Sequence, residues 1–489
     1  MEATTITRRG LLRSAAAGAV VAVAGGCGLL PTGGRSAPVP GVAFADPPQR
    51  LAGAGRPVVD LTAAPGAELG GVPGAGLGYE GTSPGPTLRV RPGEELALRL
   101  HNRLDVPTNL HTHGLRVPPA PDGDDPFRTV EPGGSADYRI RIPADHPAGT
   151  FWYHPHHHGT VADQVFGGLV GALVVEGGPD LGTAAEHVLV ITDSDLAPAR
   201  RGGGPGPMER MAGREGDTVL LNGRLQPVLG VVPERSERWR LLNATCSRVL
   251  DVGLEGHRLL HVATDGVFLP RPASRDRVRL APGNRADVVV RPSRTPGRYA
   301  LLAESLDRGG PGAMAGTGPT GGGPVVLGAV DVGGRARPTP EPPAVLAVPA
   351  ALPRPGRTRT ITLDGGGAGM GTGMGTGMGM RFGIDGRAFA PDRDDIVIRA
   401  GTVEDWVFDN PGPMLHPVHL HTWPLVPLDD DAYGSAGTAR DVVVVPAGGR
   451  VRVRVAFTGA TGRTVLHCHV LDHEDLGMMA TVVVDGPVP

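Results

Sequence analysis

Four His-x-His pairs dominate the chemistry open to this 489-residue chain: His111-Thr112-His113, His154-Pro155-His156, His419-Leu420-His421 and His467-Cys468-His469. On an extended strand, residues two apart face the same way, so each pair aims two imidazoles at one spot. One pair is a weak signal. Four pairs carry eight imidazoles, more than one metal ion takes, and they place several metals between the first and last parts of the chain. In the last pair Cys468 points away from its neighbours, so its thiolate serves a different metal from the imidazoles. Two metal sites therefore lie back to back across one strand. Around Cys468 lie His473 and Met478, and the strand His416-Pro417-Val418-His419-Leu420-His421 adds His416. Two histidines, a cysteine and a more distant methionine fit an electron-transfer copper site, because soft thiolate and thioether suit both copper oxidation states. Structural zinc has no use for the methionine.

The segments that hold these residues repeat one plan three times. In the first copy, Leu96-Ala97-Leu98-Arg99-Leu100 leads to Asn102 and the first His-x-His pair. Pro132-Gly133-Gly134 then precedes Tyr138-Arg139-Ile140-Arg141-Ile142 and the second pair. The last copy runs from Ile396-Val397-Ile398 through Asn410 to His419. It continues from Pro446-Ala447-Gly448-Gly449 through Val451-Arg452-Val453-Arg454-Val455 to His467. The middle copy keeps Arg238-Trp239-Arg240-Leu241-Leu242-Asn243 and Pro282-Gly283-Asn284 but has lost the paired histidines. Period-two alternation punctuated by Gly and Pro marks half-buried antiparallel strands. With Gly 77 and Pro 50 against helix, the expected class is all-β, built from sandwich domains. The boundaries read as a leader and tether over 1–49, domains over 50–178, 179–333 and 358–489, and a Pro-rich linker over 334–357.

The start Thr7-Arg8-Arg9-Gly10-Leu11-Leu12-Arg13, followed by an apolar stretch from Ala15 to Gly25, reads as a twin-arginine export signal. That stretch is too short and too rich in Gly and Ala to span a membrane stably. The expected location is extracytoplasmic: periplasm, cell surface or medium. Small residues ahead of Cys27 leave two outcomes open, lipid attachment at Cys27 or simple cleavage nearby. Residues from Gly28 to about Pro48 read as a flexible tether. Cys246 is most simply a small core residue, so no disulfide framework is expected. A formal net charge of -3 argues against nucleic acid or a polybasic membrane contact, and a monomer is expected.

The motifs Asn109-Leu110-His111-Thr112-His113-Gly114, Trp152-Tyr153-His154-Pro155-His156, His416-Pro417-Val418-His419-Leu420-His421 and His467-Cys468-His469 with His473-Glu474-Asp475-Leu476-Gly477-Met478 together resemble the three-domain multicopper oxidases. The resemblance covers essentially the whole chain after the leader and implies cupredoxin-like Greek-key domains holding four copper ions. It assigns His416, Cys468, His473 and Met478 to a type 1 copper, and His111 and His419 to a type 2 copper. His113, His154, His156, His421, His467 and His469 fall to a type 3 pair. It further implies a relay in which a reducing substrate gives single electrons at the type 1 site and dioxygen is reduced to water at the other three coppers.

Protons must reach that cluster, which requires an acid nearby. Glu474, beside His473, and Asp122, downstream of His113, match acidic positions that assist proton delivery in similar enzymes; Asp122 also fits a plain turn in Pro121-Asp122-Gly123. His157 and His158 read as neighbours of the ligands or as solvated residues, and His101, His146, His187, His257 and His261 have no metal-spaced partner. The substrate stays open between phenols or aromatic amines and Cu(I). Met370, Met374, Met378 and Met380 recur between glycines, either as soft Cu(I) ligands or as a low-complexity linker. A copper protein that only transfers electrons would need the Cys468 site alone.

Overall fold

Along Glu95–Asn102 and Ser135–Arg141 inward residues alternate with outward ones, and the two strands pair antiparallel with Leu98 opposite Tyr138. The same hairpin-like pair returns as Glu237–Asn243 with Arg285–Val290 and as Val403–Asp409 with Arg450–Ala456. The computed structural model describes residues 41–53, 55–197, 204–310, 324–348, 351, 353–365, 382–429 and 436–487. Arg8, Arg9, Cys27 and the Met370-to-Met380 stretch lie outside the described residues.

Among the described residues, six sheets form three facing pairs. In the first pair, Leu96, Leu98, Leu100 and Tyr138 of a four-stranded sheet pack on Leu88, Val90, Phe151 and Leu173 of a five-stranded one. The second pair, of six and five strands, closes around Leu241, Val288, Leu250 and Ala303. The third, of five and five, closes around Trp406, Val453, Leu466 and Val482. Each is a cupredoxin β-sandwich. Fully burying a Leu, Val or Phe side chain is worth about 1.5–3 kcal/mol, so three such cores supply the main driving force for folding.

The repeated asparagines close the strand ends. Asn102 donates to the Val106 and Val130 carbonyls at 2.9 and 2.8 Å and accepts from Leu104 N at 2.9 Å. Asn243 makes the corresponding bonds to Arg248, Leu280 and Thr245, and Asn410 to Met414, Pro446 and Gly412. One buried amide thus pins the loop that follows the strand to the Gly-rich turn facing it.

The last residues of the expected tether are bound to the fold. Residues 42–46 are strapped onto the second sandwich: Phe44 N donates to the Val228 carbonyl, Val228 N to the Val42 carbonyl, and Asp46 accepts from Val188 N and contacts His187. Backbone pairing with an edge strand, invisible to composition, overrides the flexibility that Gly and Pro imply.

Among the described residues, three short helices tie the sandwiches together: α1 (Val161–Phe166), α2 (Pro207–Ala212) and α3 (Leu471–Asp475). Arg214, just after α2, donates to both oxygens of buried Asp472 in α3 and also to Asp163 in α1. Asp475 accepts from Gly159, Val161 and Ala162 N at the start of α1. The turn that carries His473 is thereby fixed against both other sandwiches.

Candidate metal centres

The first and third sandwiches meet along the strands that carry the histidine pairs. His111–His113 pairs antiparallel with Gly149–His154, placing His111 opposite His154, and His416–Leu420 pairs with Gly462–Cys468, placing His419 opposite His467. All eight histidines are buried. Across the interface His111 stacks on His421 and His113 on His419, each with ring centroids 3.8 Å apart. Nitrogens of His156, His421 and His467, of His111, His419 and His421, and of His111, His113 and His154 lie within 4.8 Å of one another in each set.

Hydrogen bonds at the outer ring nitrogens decide what the inner ones present. His419 Nδ1 donates to the Asp441 carbonyl at 2.8 Å and His111 Nδ1 to Asp124 at 2.9 Å. Their Nε2 atoms face one another at 3.4 Å, both as lone pairs. His467 Nδ1 donates to the Cys468 carbonyl, and its Nε2 lies 3.2 and 3.3 Å from those of His156 and His421. His154 Nδ1 donates to the Pro155 carbonyl, while His154 Nε2, His113 Nδ1 and both ring nitrogens of His469 are buried without a partner. Burial, reinforced by the neighbouring imidazoles, holds these rings neutral; His156 and His467 are pushed down to about 4. Lone pairs converging without protons between them are a cation site, and neutral imidazole suits copper.

Behind the same strand, Cys468 Sγ lies 3.4 Å from His416 Nδ1 and 3.8 Å from His473 Nδ1. His473 Nε2 donates to the Met211 carbonyl of α2 at 3.0 Å, which turns the Nδ1 lone pair toward the sulfur. Met478 is fully buried. A Cβ on Gly365 would sit 2.5 Å from His416 Nε2 and 3.4 Å from the Met478 methyl, so that thioether and imidazole share a space only a glycine leaves open. Burial pushes the Cys468 thiol up to about 12, and a bound metal is the group that would draw it into the thiolate form. Two imidazoles and a thiol in a dry pocket, with the buried Met478 beside Gly365, form a surrounding suited to copper.

Of the two acids expected to carry protons, Glu474 lies beside the histidine cluster and Asp122 does not. Glu474 is buried, with Oε2 3.1 Å from His467 Nδ1 and Oε1 3.5 Å from His156 Nε2. Neither oxygen receives a hydrogen bond, and burial raises its pKa to about 7. Asp122 is exposed on its turn, where its carbonyl accepts from Arg139 N. The carboxylate of this loop that reaches the cluster is Asp124, two residues on, which accepts from His111 Nδ1, Thr112 N and Thr112 Oγ1. Sequence spacing cannot choose between Asp122, Asp124 and Asp125 in one loop; the fold chooses by turning Asp124 inward. Sequence reasoning also missed Asp441, Arg285 and Met211, which act across sandwiches and carry no local motif. His157 and His158 border a cavity beside Phe389 and join no donor set; among the described residues His101, His146, His187, His257 and His261 join none either. Cys246 is buried in an apolar cluster, as expected of a core residue.

The fold and donor sets define a cupredoxin-type protein with multiple copper sites at the seam of two sandwiches. Three family models, each described as Multicopper oxidase, match residues 62–180, 193–319 and 368–487. The chain belongs to the multicopper oxidase family and is an oxidoreductase that reduces dioxygen. It is 28% identical over 421 residues to the multicopper oxidase mco of Staphylococcus haemolyticus, covering 83% of each chain. Its fold matches the Campylobacter jejuni multicopper oxidase described as a metallo-oxidase, with TM-score 0.78 and 27% identity over 91% of this chain and 96% of that one. It also matches the laccase-like CueO of the lignin-degrading bacterium Ochrobactrum sp., described as having oxidase activity towards lignin model compounds, with TM-score 0.74 and 26% identity over 90% and 100%.

Proposed function

We propose that the chain is a laccase-like oxidase with cuprous oxidase activity, coupling one-electron oxidation of phenols, aromatic amines or Cu(I) to the four-electron reduction of dioxygen to water. His416, Cys468, His473 and Met478 hold a type 1 copper, His111 and His419 a type 2 copper, and His113, His154, His156, His421, His467 and His469 a type 3 pair. Bound there, copper supplies one-electron redox chemistry at the cysteine and dioxygen reduction among the histidines. The observation that carries the reading is the covalent continuity of His467, Cys468 and His469. The thiol belongs to one donor set while its chain neighbour His467 belongs to another, so a bonded path of one residue joins them. Glu474 holds an exchangeable proton beside His467 and His156, and Asp124 orients His111.

Cu(I) is included because α2, whose Met211 carbonyl bonds His473, carries two methionines. α2 brings Met208, which is exposed, and Met211, which packs on the third core and whose carbonyl covers His473 Nε2. An open His473 edge would favour bulky organic donors; a covered one with thioethers nearby favours a small soft ion. Replacing Met370, Met374, Met378 and Met380 together with serine is the test. Oxidation of Cu(I) is expected to fall by about tenfold, equivalent to ~1.4 kcal/mol of transition-state stabilisation, while oxidation of a bulky phenol is unchanged or improved. If both activities stay unchanged the segment is a linker and Cu(I) loses its port; equal loss of both would mark a structural role.

The proposed location is extracytoplasmic, reached through the twin-arginine route as a folded monomer, with either a lipid at Cys27 or a free amino terminus after cleavage. Changing Arg8 and Arg9 to lysine is expected to retain the protein in the cytoplasm on cell fractionation. Undiminished export of that variant would remove the proposal.

A further inference from the structure

The middle sandwich carries no histidine pair, yet one of its turns closes the histidine cluster. Gly283 has φ +84, and a Cβ there would lie 2.9 Å from His469 Nε2 and 3.1 Å from His113 Cε1. Two residues on, the fully buried Arg285 grips both oxygens of Asp441 at 2.6 Å, and it also donates to the carbonyls of Gly283 at 2.9 Å and Thr150 at 3.1 Å. Asp265 fixes the turn from behind by accepting from Arg285 N and Asn284 Nδ2. Asp441 in turn reaches two cluster histidines. Its side-chain Oδ1 accepts from His113 Nε2 at 2.9 Å, and its backbone carbonyl accepts from His419 Nδ1 at 2.8 Å.

We propose that Arg285 and Asp441 are positioning residues that lock His113 as the Nε2–H tautomer, so that the middle sandwich sets which nitrogen His113 offers to copper. The bonds require this sense. A carboxylate paired with a guanidinium accepts only, so the proton of His113 sits on Nε2 and the lone pair on the buried, unpartnered Nδ1. His419 is locked in the opposite sense, with its proton on Nδ1 and its lone pair on Nε2. One residue thereby fixes two ligands in two different tautomers, and only the side-chain half of that device depends on Arg285. Outer partners of this kind raise ligand basicity and fix ring orientation; their loss costs about 10–100-fold in metal affinity. The inference rests on the proposed assignment of His113 to copper.

The test uses the full chain with and without copper. In the metal-free protein labelled with 15N-histidine, His113 is expected to carry its proton on Nε2 in the wild type and in Asp441→Asn, whose amide oxygen can still accept. In Asp441→Ala it should become a mixture of tautomers. On chelator titration, Asp441→Ala is expected to release copper from the cluster at about 10–100-fold lower chelator concentration than the wild type, keeping its blue colour, while Asp441→Asn recovers part of the difference. A wild-type His113 protonated on Nδ1, or cluster copper held equally well by Asp441→Ala, would overturn the inference. Should Asp441→Ala fail to fold, the tautomers of the wild type and Asp441→Asn decide. A wild-type chain that takes up no cluster copper would instead overturn the proposed function, whatever the tautomer.

Discussion

Cys468→Ser is expected to abolish the blue colour and substrate oxidation together while leaving most of the copper held by the histidine cluster. The thiolate is the donor whose bond to copper gives intense visible absorption, and a serine oxygen is harder and far less easily ionised. The loss should stay local, because His467 and His469 face the other side of the strand and their contacts with His156, His421 and His113 do not involve the sulfur. The fold should survive. The new hydroxyl is buried between His416 and His473, either of which can hydrogen-bond it, so the cost stays at or below the ~1–3 kcal/mol of an unsatisfied buried hydroxyl. Absorption, copper analysis and thermal unfolding on one preparation check all three statements. A wild-type protein loaded with copper yet colourless, or a serine variant that stays blue, would sink the assignment of the Cys468 site.

What could be read from the sequence was whatever depends on spacing along one strand. The His-x-His pairs, the opposite facing of Cys468, and the alternation of Leu96 to Leu100 or Val451 to Val455 all follow from a period of two; the structure keeps the alternation and the strand pair His111–His113, while His156, His421 and His469 lie just past the ends of their strands. Buried Asn102, Asn243 and Asn410 were visible as repeats, but their hydrogen bonds to the facing turns were not. Contacts between sandwiches were out of reach. Arg285 and Asp441 are 156 positions apart, and Met211 meets His473 across 262, so no local pattern announces either pair. The strapping of residues 42–46 on Val228 was hidden for the same reason. Packing between distant segments, rather than propensity, decides these features.

The acid at the cluster gives the sharpest contrast between the two kinds of information. Asp124→Ala leaves Thr112 N, Thr112 Oγ1 and His111 Nδ1 without their acceptor in a fully buried setting. Each orphaned donor costs about 1–3 kcal/mol, so the three together are expected to cost at least about 3 kcal/mol on denaturant unfolding. His111 would also be free to turn its Nε2 lone pair away from His419, which should weaken copper binding there by about 10–100-fold. Asp124→Asn keeps an acceptor oxygen and should recover much of the stability. Asp122→Ala is the control that separates structure from spacing: its side chain is exposed, and the carbonyl that accepts from Arg139 N is unaffected by the change. Stability within about 0.5 kcal/mol of the wild type and unaltered oxidase activity are expected for it. If Asp122→Ala instead lost cluster copper while Asp124→Ala kept it, the loop would have to turn the other carboxylate inward, and the position read from the motif would be the correct one.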